Sequence, residues 1–131
     1  GDFGEVYTGK YDWTDYRAEY VVTPIVGERH LMNVRVQGGG RCYAAALLPD
    51  HKIGILKKEN DYRVLAAADF LWHHGQEYKI TIHAEHDIIS VDADGQNILS
   101  IRDTEHPYLK GAIGIGVLEG SHLACKHISV S

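Results

Sequence analysis

Several features that would identify a function directly are scarce in this chain of 131 residues. Two cysteines, Cys42 and Cys125, are too few for a disulfide framework and predict buried or half-buried thiols, with one disulfide between them left open. No run approaches the ~20 apolar residues that a membrane helix needs. With 13 basic and 18 acidic residues, the chain has no basic excess. We therefore expect neither nucleic acid nor a membrane as a partner.

The length of the chain is enough for one domain with its own hydrophobic core. The sequence opens on Gly1, Asp2 and Phe3, without an initiator methionine. We therefore expect residues 1–131 to form a single domain that belongs to a longer multidomain protein. Nothing in these residues indicates a compartment.

Sustained 3.6-residue periodicity is also missing, while glycines and charged pairs recur every eight to twelve residues. This pattern is typical of short strands joined by tight turns, and it predicts an all-β chain. Ten or eleven strands of this length cannot form one flat sheet, so we expect two packed antiparallel sheets. The predicted strand segments are 3–8, 15–23, 31–48 (a hairpin of two strands), 52–58, 62–68, 78–85, 88–93, 97–102, 112–118 and 123–130.

The hairpin at residues 31–48 has two alternating runs that meet at three glycines. Because successive strand side chains point to opposite faces, one face is predicted to be apolar and to lie inward. The other face is predicted to be polar and to lie outward. The inward set is Met32, Val34, Val36, Cys42, Ala44, Ala46 and Leu48; the outward set includes Asn33, Arg35, Gln37, Arg41 and Tyr43.

The polar face of this hairpin is the leading candidate for a binding site, joined by Arg17 and Glu19 from a strand predicted to be its neighbour. Guanidinium and amide groups make paired hydrogen bonds to vicinal hydroxyls or carboxylates. A tyrosine or tryptophan ring can also stack on the apolar face of a sugar. The alternative is an ordinary solvated sheet face whose exposed ion pairs contribute little.

Other motifs indicate structure more than chemistry. The histidines at 73, 74, 83 and 86 are predicted in strands and turns where neighbouring side chains diverge, which disfavours a metal site. Asp94 and Gly95 predict a hairpin turn, since the later ligands of a calcium loop are missing. The glycines between residues 111 and 116 lack the strand-to-helix context of a nucleotide loop. No arrangement of serines or carboxylates indicates catalysis.

Taken in order, several motifs resemble those of concanavalin A-like jelly-roll domains, the lectin, glucanase and laminin-G-like sandwiches. The resemblance extends over almost the whole chain. More narrowly, the chain is similar to the accessory sandwich domain of bacterial glycan-acting and ADP-ribosylglycohydrolase-like proteins. The segments that resemble the family are Trp13-Thr14-Asp15-Tyr16, Val34-Arg35-Val36-Gln37, Arg41-Cys42-Tyr43, Lys57-Lys58, the run from Phe70 to Gly75, Asp94-Gly95 and the run from Lys110 to Gly114.

The resemblance implies a non-catalytic carbohydrate-binding module that holds a covalently linked catalytic domain near its glycan. The ligand would lie on the concave sheet face with Arg35, Gln37, Arg41 and Tyr43, while Asp103 and Tyr108 would lie on a rim loop. Tyr43, Trp72 or Tyr108 would stack on the sugar. No cofactor is expected, although many members hold a structural calcium. One alternative is a structural domain that docks on the adjacent catalytic domain; another is a small glycosidase, which needs two facing carboxylates.

Overall fold

The computed structural model describes residues 3–38, 40–118 and 121–131, and for residues 3–7, 117 and 118 it describes the backbone alone. This part of the chain contains eleven β-strands. It includes no helix that is long and apolar enough to cross a membrane. In chain order the strands are β1 (Phe3–Thr8), β2 (Tyr16–Val26), β3 (His30–Val36), β4 (Arg41–Leu48), β5 (Lys52–Glu59), β6 (Asp61–Asp69), β7 (Tyr78–Glu85), β8 (Ile88–Ala93), β9 (Gln96–Arg102), β10 (Ala112–Leu118) and β11 (His122–Val130).

The strands form two sheets that pack face to face. One sheet has six strands in the order β1-β10-β3-β4-β5-β6, and the other has five in the order β11-β2-β7-β8-β9. All neighbouring strands pair antiparallel. The fold is therefore an antiparallel jelly-roll β-sandwich of the concanavalin A-like class, which confirms the fold class expected from the sequence.

Strand β2 differs from its prediction because it continues through Pro24 to Val26. A proline cannot donate to a sheet ladder, so it is tolerated where one side of the strand has no partner. Pairing of β2 with β7 ends at Val22 opposite Tyr78, whereas β11 still lies beside Pro24. The prediction that the strand stops at Pro24 was wrong for this reason.

The core lies between the two sheets and follows the alternation of strand side chains. On β2, buried Tyr16, Ala18, Tyr20 and Val22 alternate with more exposed residues. Burial of a large aliphatic side chain stabilises a fold by roughly 1.5–3 kcal/mol, so this face holds the sandwich together. The six-stranded sheet contributes Met32, Val34, Tyr43, Ala45, Leu47, Ile53 and Ile55 to the same core.

A bulge at Arg35 changes the facing of the last residue of β3. Ala112 lies opposite Val36, but Gly114 lies opposite Asn33, so β3 has one more residue than β10 in this interval. Arg35 takes a left-handed backbone conformation, with φ of 52°. The bulge therefore separates Val36 from the inward set that was predicted for it.

The apolar face predicted to lie inward is, apart from Met32 and Val34, on the outer side of the six-stranded sheet. Leu31, Ala44, Ala46, Leu48 and Leu56 form a buried cluster there, separate from the core. A second small cluster joins Val36, Cys42 and Ala112. The predicted facing of β4 was wrong because Tyr43 and Ala45 lie opposite the inward residues Val34 and Met32, so that Tyr43, Ala45 and Leu47 enter the core. Cys42 and Cys125 form no disulfide with each other; Cys42 is buried and Cys125 half-buried.

The edge strand β6 also contains a bulge. Leu56 lies opposite Val64 while Ile55 lies opposite Ala66, which leaves Leu65 as an extra residue in β6. The Leu65 side chain packs against the core. The edge of the six-stranded sheet is thus bent in the middle of the strand.

We predict that Gly111→Ala destabilises the fold more strongly than Gly75→Ala. Both glycines have positive φ, 147° and 81°, so alanine strains the backbone at each. At Gly111, however, a Cβ atom would lie 2.3 Å from the carbonyl carbon of Arg35, whereas at Gly75 it would meet nothing within 4 Å. We expect about 1–2 kcal/mol for Gly75→Ala and a distinctly larger loss for Gly111→Ala, measured by urea unfolding. Equal losses would contradict the close packing at Gly111.

Candidate functional site

The side chains predicted to form one polar face do not share a surface. Two residues of that face are enclosed: Arg35 is 0% exposed and Tyr43 1%. The bulge in β3 and the inward facing of Tyr43 explain their placement. Three residues predicted on the rim or as stacking rings are enclosed as well: Trp72 is 2% exposed, Asp103 6% and Tyr108 7%. The predicted binding face on the hairpin was therefore wrong as a description of where these side chains lie.

Arg35 binds three loops together at the end of the sandwich where the β3–β4 turn lies. Its guanidinium donates hydrogen bonds to the carbonyl oxygens of Thr14 (2.9 Å), His86 (2.9 Å) and Tyr108 (2.7 Å). It also forms an ion pair with Asp15 at 3.2 Å. Five donors in a fixed planar arrangement suit this role, because each can meet a different acceptor. The hydrogen-bonding capacity of Arg35 is thus used by the fold.

Three of the predicted site residues, Tyr43, Asp103 and Tyr108, do meet in the structure. The Tyr43 hydroxyl donates to Asp103 Oδ2 at 2.5 Å, and Tyr108 N donates to the Tyr43 hydroxyl at 3.1 Å. The sequence interpretation missed Lys57, whose buried ammonium lies 2.6 Å from Asp103 Oδ2 and donates to the carbonyl oxygen of Glu105. The burial of Lys57 could have been predicted from the sequence, because Lys57 continues the alternating row of Ile53 and Ile55 that faces the core. This buried cluster holds the loop at residues 103–110 against the six-stranded sheet.

The electrostatics of the cluster favour an ionised Asp103. Burial alone raises the pKa of this carboxyl, but hydrogen bonds from Lys57 and Tyr43 outweigh that effect and lower it. Burial, together with the hydrogen bond to Asp103, raises the pKa of Tyr43, so its hydroxyl remains a donor at neutral pH. The cluster is a satisfied internal ion pair with no free group facing solvent.

Gln37 and Arg41 stay accessible at this end of the sandwich. Gln37 Nε2 donates to the carbonyl oxygen of Lys110 at 2.8 Å. Arg41 is exposed and lies opposite Glu59, which forms an ion pair with Arg63 at 3.1 Å. A role for Gln37 and Arg41 in ligand binding stays a prediction.

Arg17 and Glu19 lie in the other sheet. They belong to β2, which pairs with β7 and β11 in the five-stranded sheet, and they alternate with the core residues of that strand. The expectation that their strand neighbours the hairpin was wrong. Their outer face is polar: His83 Nε2 lies 3.0 Å from Asp92 Oδ2, and Asn97 Nδ2 donates to Asp92 Oδ1 at 3.0 Å.

At the end of the sandwich opposite the β3–β4 turn there is a pocket of about 430 Å³, here called the histidine pocket. Trp72 forms part of its wall and donates its indole N–H to the carbonyl oxygen of Leu48 at 2.9 Å. A volume of this size suits a small ligand such as one or two sugar rings. The pocket is lined by Glu28, Pro49, Asp50, His51, Trp72, His73 and His74.

The polar side chains of the histidine pocket are less used by the fold than those at the other end. The rings of His51 and His73 lie edge to face at 5.8 Å. In the described part of the chain, no hydrogen bond or ion pair involves the side chains of His51, His73 or Asp50. These groups have capacity left for a ligand, which the buried groups around Arg35 and Lys57 lack.

The loops around the histidine pocket are held in defined conformations. Asp50 and His51 are both left-handed, with φ of 63° and 53°, in the turn between β4 and β5. Non-glycine residues in this region are uncommon and persist where the surrounding structure fixes them. Phe70 N donates to the carbonyl oxygen of His51, and Gly75 N donates to that of Pro24. The pocket therefore has a largely preformed frame.

Two imidazoles share one acceptor behind the pocket wall. His30 Nε2 and His74 Nε2 lie 2.9 Å and 2.7 Å from the carbonyl oxygen of Gly27. Both rings are edge-on to Trp72. His30 is completely buried and its Nδ1 has no hydrogen-bond partner. Burial therefore lowers the pKa of His30.

A second hollow, of about 530 Å³, lies beside Trp13. Its wall includes Asp15, whose Oδ1 already accepts hydrogen bonds from Arg35 and from the backbone N of His86. The Trp13 ring packs closely on Gly9 and edge-on to Tyr16. Asp15 and Trp13 of this hollow thus have structural partners, unlike Asp50, His51 and His73 of the histidine pocket.

Metal ligands are not assembled in either place. Among the residues that the structure describes, no group of three or more histidine, cysteine, aspartate or glutamate side chains is arranged to hold a metal ion. Asp94 and Gly95 form the predicted hairpin turn with positive φ at both positions. The structural calcium implied by the family resemblance stays a prediction.

Comparison with known proteins identifies the fold but no family. No family model and no curated protein sequence matches the chain. Among solved structures, carbohydrate-binding module CBM66 from Bacillus subtilis matches with a TM-score of 0.80 and 15% identity over 100% of this chain and 78% of that one. Xenopus laevis galectin-Ib matches with a TM-score of 0.74 and 15% identity over 99% and 100%. A family 7 alginate lyase, A1-II′, matches with a TM-score of 0.71 and 11% identity over 100% and 73%. At these identities the likeness defines a shared jelly-roll fold.

We predict that Asp103→Asn costs about 3–5 kcal/mol of stability at pH 7, because it removes the buried counter-charge of the Lys57 ammonium and leaves only the exposed carboxylate of Glu59, at 3.7 Å. The pKa of Asp103 is lowered in the folded state, so its stabilisation is complete above the ordinary carboxyl pKa of about 3.9 and is lost as pH falls through the folded-state pKa. The difference between wild type and variant should therefore shrink in acid. Urea unfolding at several pH values measures it.

Asp69→Asn is the matched control, since Asp69 forms an exposed ion pair with Lys52. It should change stability little. If both variants unfold at the same urea concentration, the buried pair does not stabilise the loop at residues 103–110.

We predict that His30→Gln reduces the loss of stability between neutral and mildly acidic pH. The pKa of His30 is lowered in the folded state, so its contribution is complete above the unfolded pKa of about 6.5 and is lost as pH falls below that value toward the folded-state pKa. The ionisable groups around it are His74, Glu28 and His122. Thermal unfolding between pH 7.5 and 5 tests this, with exposed His86→Gln as control. A pH dependence unchanged by His30→Gln would refute it.

Proposed function

We propose that this chain is a non-catalytic carbohydrate-binding domain whose ligand occupies the histidine pocket. The observation that supports this most strongly is a preformed polar pocket whose side chains at His51, His73 and Asp50 are not engaged by the fold. Polar groups that converge on a pocket fix the orientation of a hydroxyl-rich ligand. The jelly-roll fold agrees with this proposal. That agreement is an analogy, because a fold does not determine a function.

The proposal places the ligand at the end of the sandwich opposite the β3–β4 turn. The sequence had favoured the polar face of the hairpin instead. At the hairpin end the guanidinium of Arg35 and the ammonium of Lys57 already have acceptors inside the protein. Removing a buried group from its partners to bind a sugar would cost its desolvation penalty again. Ligand binding there would compete with folding, whereas binding in the histidine pocket would not.

Absence of catalysis is part of the proposal. A glycosidase needs two carboxylates, and the general acid is typically held in an apolar environment that keeps it protonated. The two carboxylates that line the histidine pocket, Glu28 and Asp50, are exposed to water. We therefore expect the isolated domain to bind glycans without hydrolysing glycosides.

The module would serve an attached catalytic domain by raising the effective concentration of its substrate. Its rival is a domain that only docks on such a neighbour. The two differ in one result: a tethered binder recognises glycan by itself, whereas a docking domain does not. Glycan binding by residues 1–131 alone therefore separates them.

We predict that His51→Gly and His73→Ala each weaken glycan binding about fivefold to tenfold, the effect of losing one hydrogen bond of roughly 1 kcal/mol. Glycine suits the left-handed conformation of His51, so this variant removes the ring without straining the turn. A glycan array identifies a ligand, and calorimetry measures its affinity for each variant.

His86→Gly is the matched control. His86 is also a left-handed histidine in a hairpin turn, with φ of 51°, but it lies at the Arg35 end of the sandwich. It should bind glycan like the wild type. Binding lost in Trp13→Ala but retained in both pocket variants would move the site to the hollow beside Trp13. If no glycan binds the folded wild type, the proposed function fails.

A further inference from the structure

The polar side chains that line the histidine pocket offer more hydrogen-bond acceptors than donors: Glu28 and Asp50 only accept, while each neutral imidazole of His51 and His73 has one N–H donor and one acceptor nitrogen. Glu28 and Asp50 provide carboxylates, and no lysine, arginine, amide or hydroxyl side chain belongs to the lining. The N–H of Trp72 is already donated to the carbonyl oxygen of Leu48. His74 Nε2 donates to Gly27, which leaves Nδ1 of the neutral ring as an acceptor.

An acceptor-rich pocket discriminates among the groups that distinguish one sugar from another. Uronic acid carboxylates and sulfates are acceptors with negative charge, so Glu28 and Asp50 would repel them. N-acetylation replaces the ammonium by a neutral amide with a single N–H, which makes no charge-assisted hydrogen bond to Glu28 or Asp50 that matches an ammonium. An ammonium group has three donors and a positive charge, and its hydrogen bonds to carboxylates are charge-assisted.

The geometry of the pocket also separates an ammonium group from a metal ion. Imidazoles and carboxylates are metal ligands in general, but no three such side chains in the described ranges converge tightly enough. The ring centroids of His51 and His73 lie 5.8 Å apart, with the rings edge to face. A spread set of acceptors suits a molecular cation with several N–H and O–H donors.

On this basis, and resting on the proposed function, we infer that the sugar recognised in the histidine pocket carries a free amino group. The ligand class is thus amino sugars that are not N-acetylated. The ammonium would lie between Glu28 and Asp50, and the hydroxyls of the ring would donate to the free nitrogens of His51 and His73.

The experiment uses three sugars that differ only at one carbon: glucosamine, N-acetylglucosamine and glucose, each as the monosaccharide and as the β-1,4-linked tetramer. Calorimetry at pH 7 and low salt measures binding to residues 1–131. We expect the amino form to bind at least about tenfold more tightly than the other two, since charge-assisted hydrogen bonds are roughly twice as strong as neutral ones. The preference should decrease at high salt, because both carboxylates are exposed.

Glu28→Gln and Asp50→Asn should each reduce the preference for the amino form while affinity for glucose stays nearly unchanged. Asparagine tolerates the left-handed conformation of Asp50, so that variant keeps the turn. Glu85→Gln changes the net charge equally at an exposed position in the β7–β8 turn region and should keep the full preference. A Glu85→Gln effect as large as that of the pocket variants would mean general electrostatic attraction and would overturn the inference.

The outcomes separate this inference from the proposed function. Equal binding of the three sugars, or tighter binding of the N-acetyl form, overturns the amino-sugar class while carbohydrate binding stands. Lysine amide binding as tightly as glucosamine would show a site for any primary ammonium, which also overturns it. Failure of every glycan to bind the folded domain refutes the proposed function itself.

Discussion

The buried guanidinium of Arg35 is the interaction on which one end of the sandwich depends. Its hydrogen bonds reach the backbone of Thr14, His86 and Tyr108, which belong to three connections far apart in sequence. Burial disfavours a charge, so Arg35 is stable there only because acceptors surround it. The left-handed bulge at Arg35 places the side chain at the junction of these loops. Lys57 repeats the arrangement nearby, with Asp103 and two loop carbonyls as acceptors. A guanidinium and an ammonium thus organise the loops at this end of the sandwich.

The two ends of the molecule use their polar residues differently. At the Arg35 end, the charged groups of Arg35, Lys57 and Asp103 are buried and have their partners inside the protein. At the other end, aromatic and backbone contacts position the loops: the indole N–H of Trp72 donates a hydrogen bond to the carbonyl oxygen of Leu48, and the backbone N–H of Gly75 donates one to that of Pro24. Because the frame there relies on backbone groups and a tryptophan, the side chains of Asp50, His51 and His73 are left for solvent or ligand. This difference, rather than the number of polar residues, is the reason for proposing that the ligand binds at the end with the histidine pocket.

Much of the fold could be predicted because strand alternation and turn residues are local signals. Asp94-Gly95 defined a hairpin by itself, and the alternation of Tyr16, Ala18, Tyr20 and Val22 defined a core face. The site was harder because it depends on which face is inside. In β3 and β4 both faces are buried, so the polar-outside rule did not apply to Arg35 or Tyr43. A single extra residue in β3 then changed the facing of Val36, and sequence alternation does not reveal a bulge of this kind. The histidine pocket joins residues 28, 50–51 and 72–74, whose proximity follows only from the complete topology.

The bulge in β6 affects how readily the edge of the six-stranded sheet can pair with another chain in a concentrated solution. β6 is the last strand of its sheet and contains a run of three alanines after Val64 and Leu65, with no charge between Arg63 and Asp69. A flat edge of this composition is a template for pairing with another chain and for aggregation. The extra residue at Leu65 breaks the regular spacing of the free backbone groups, so a second strand would find no continuous ladder. Solubility is thereby protected by backbone geometry at a place where the side chains offer no protection.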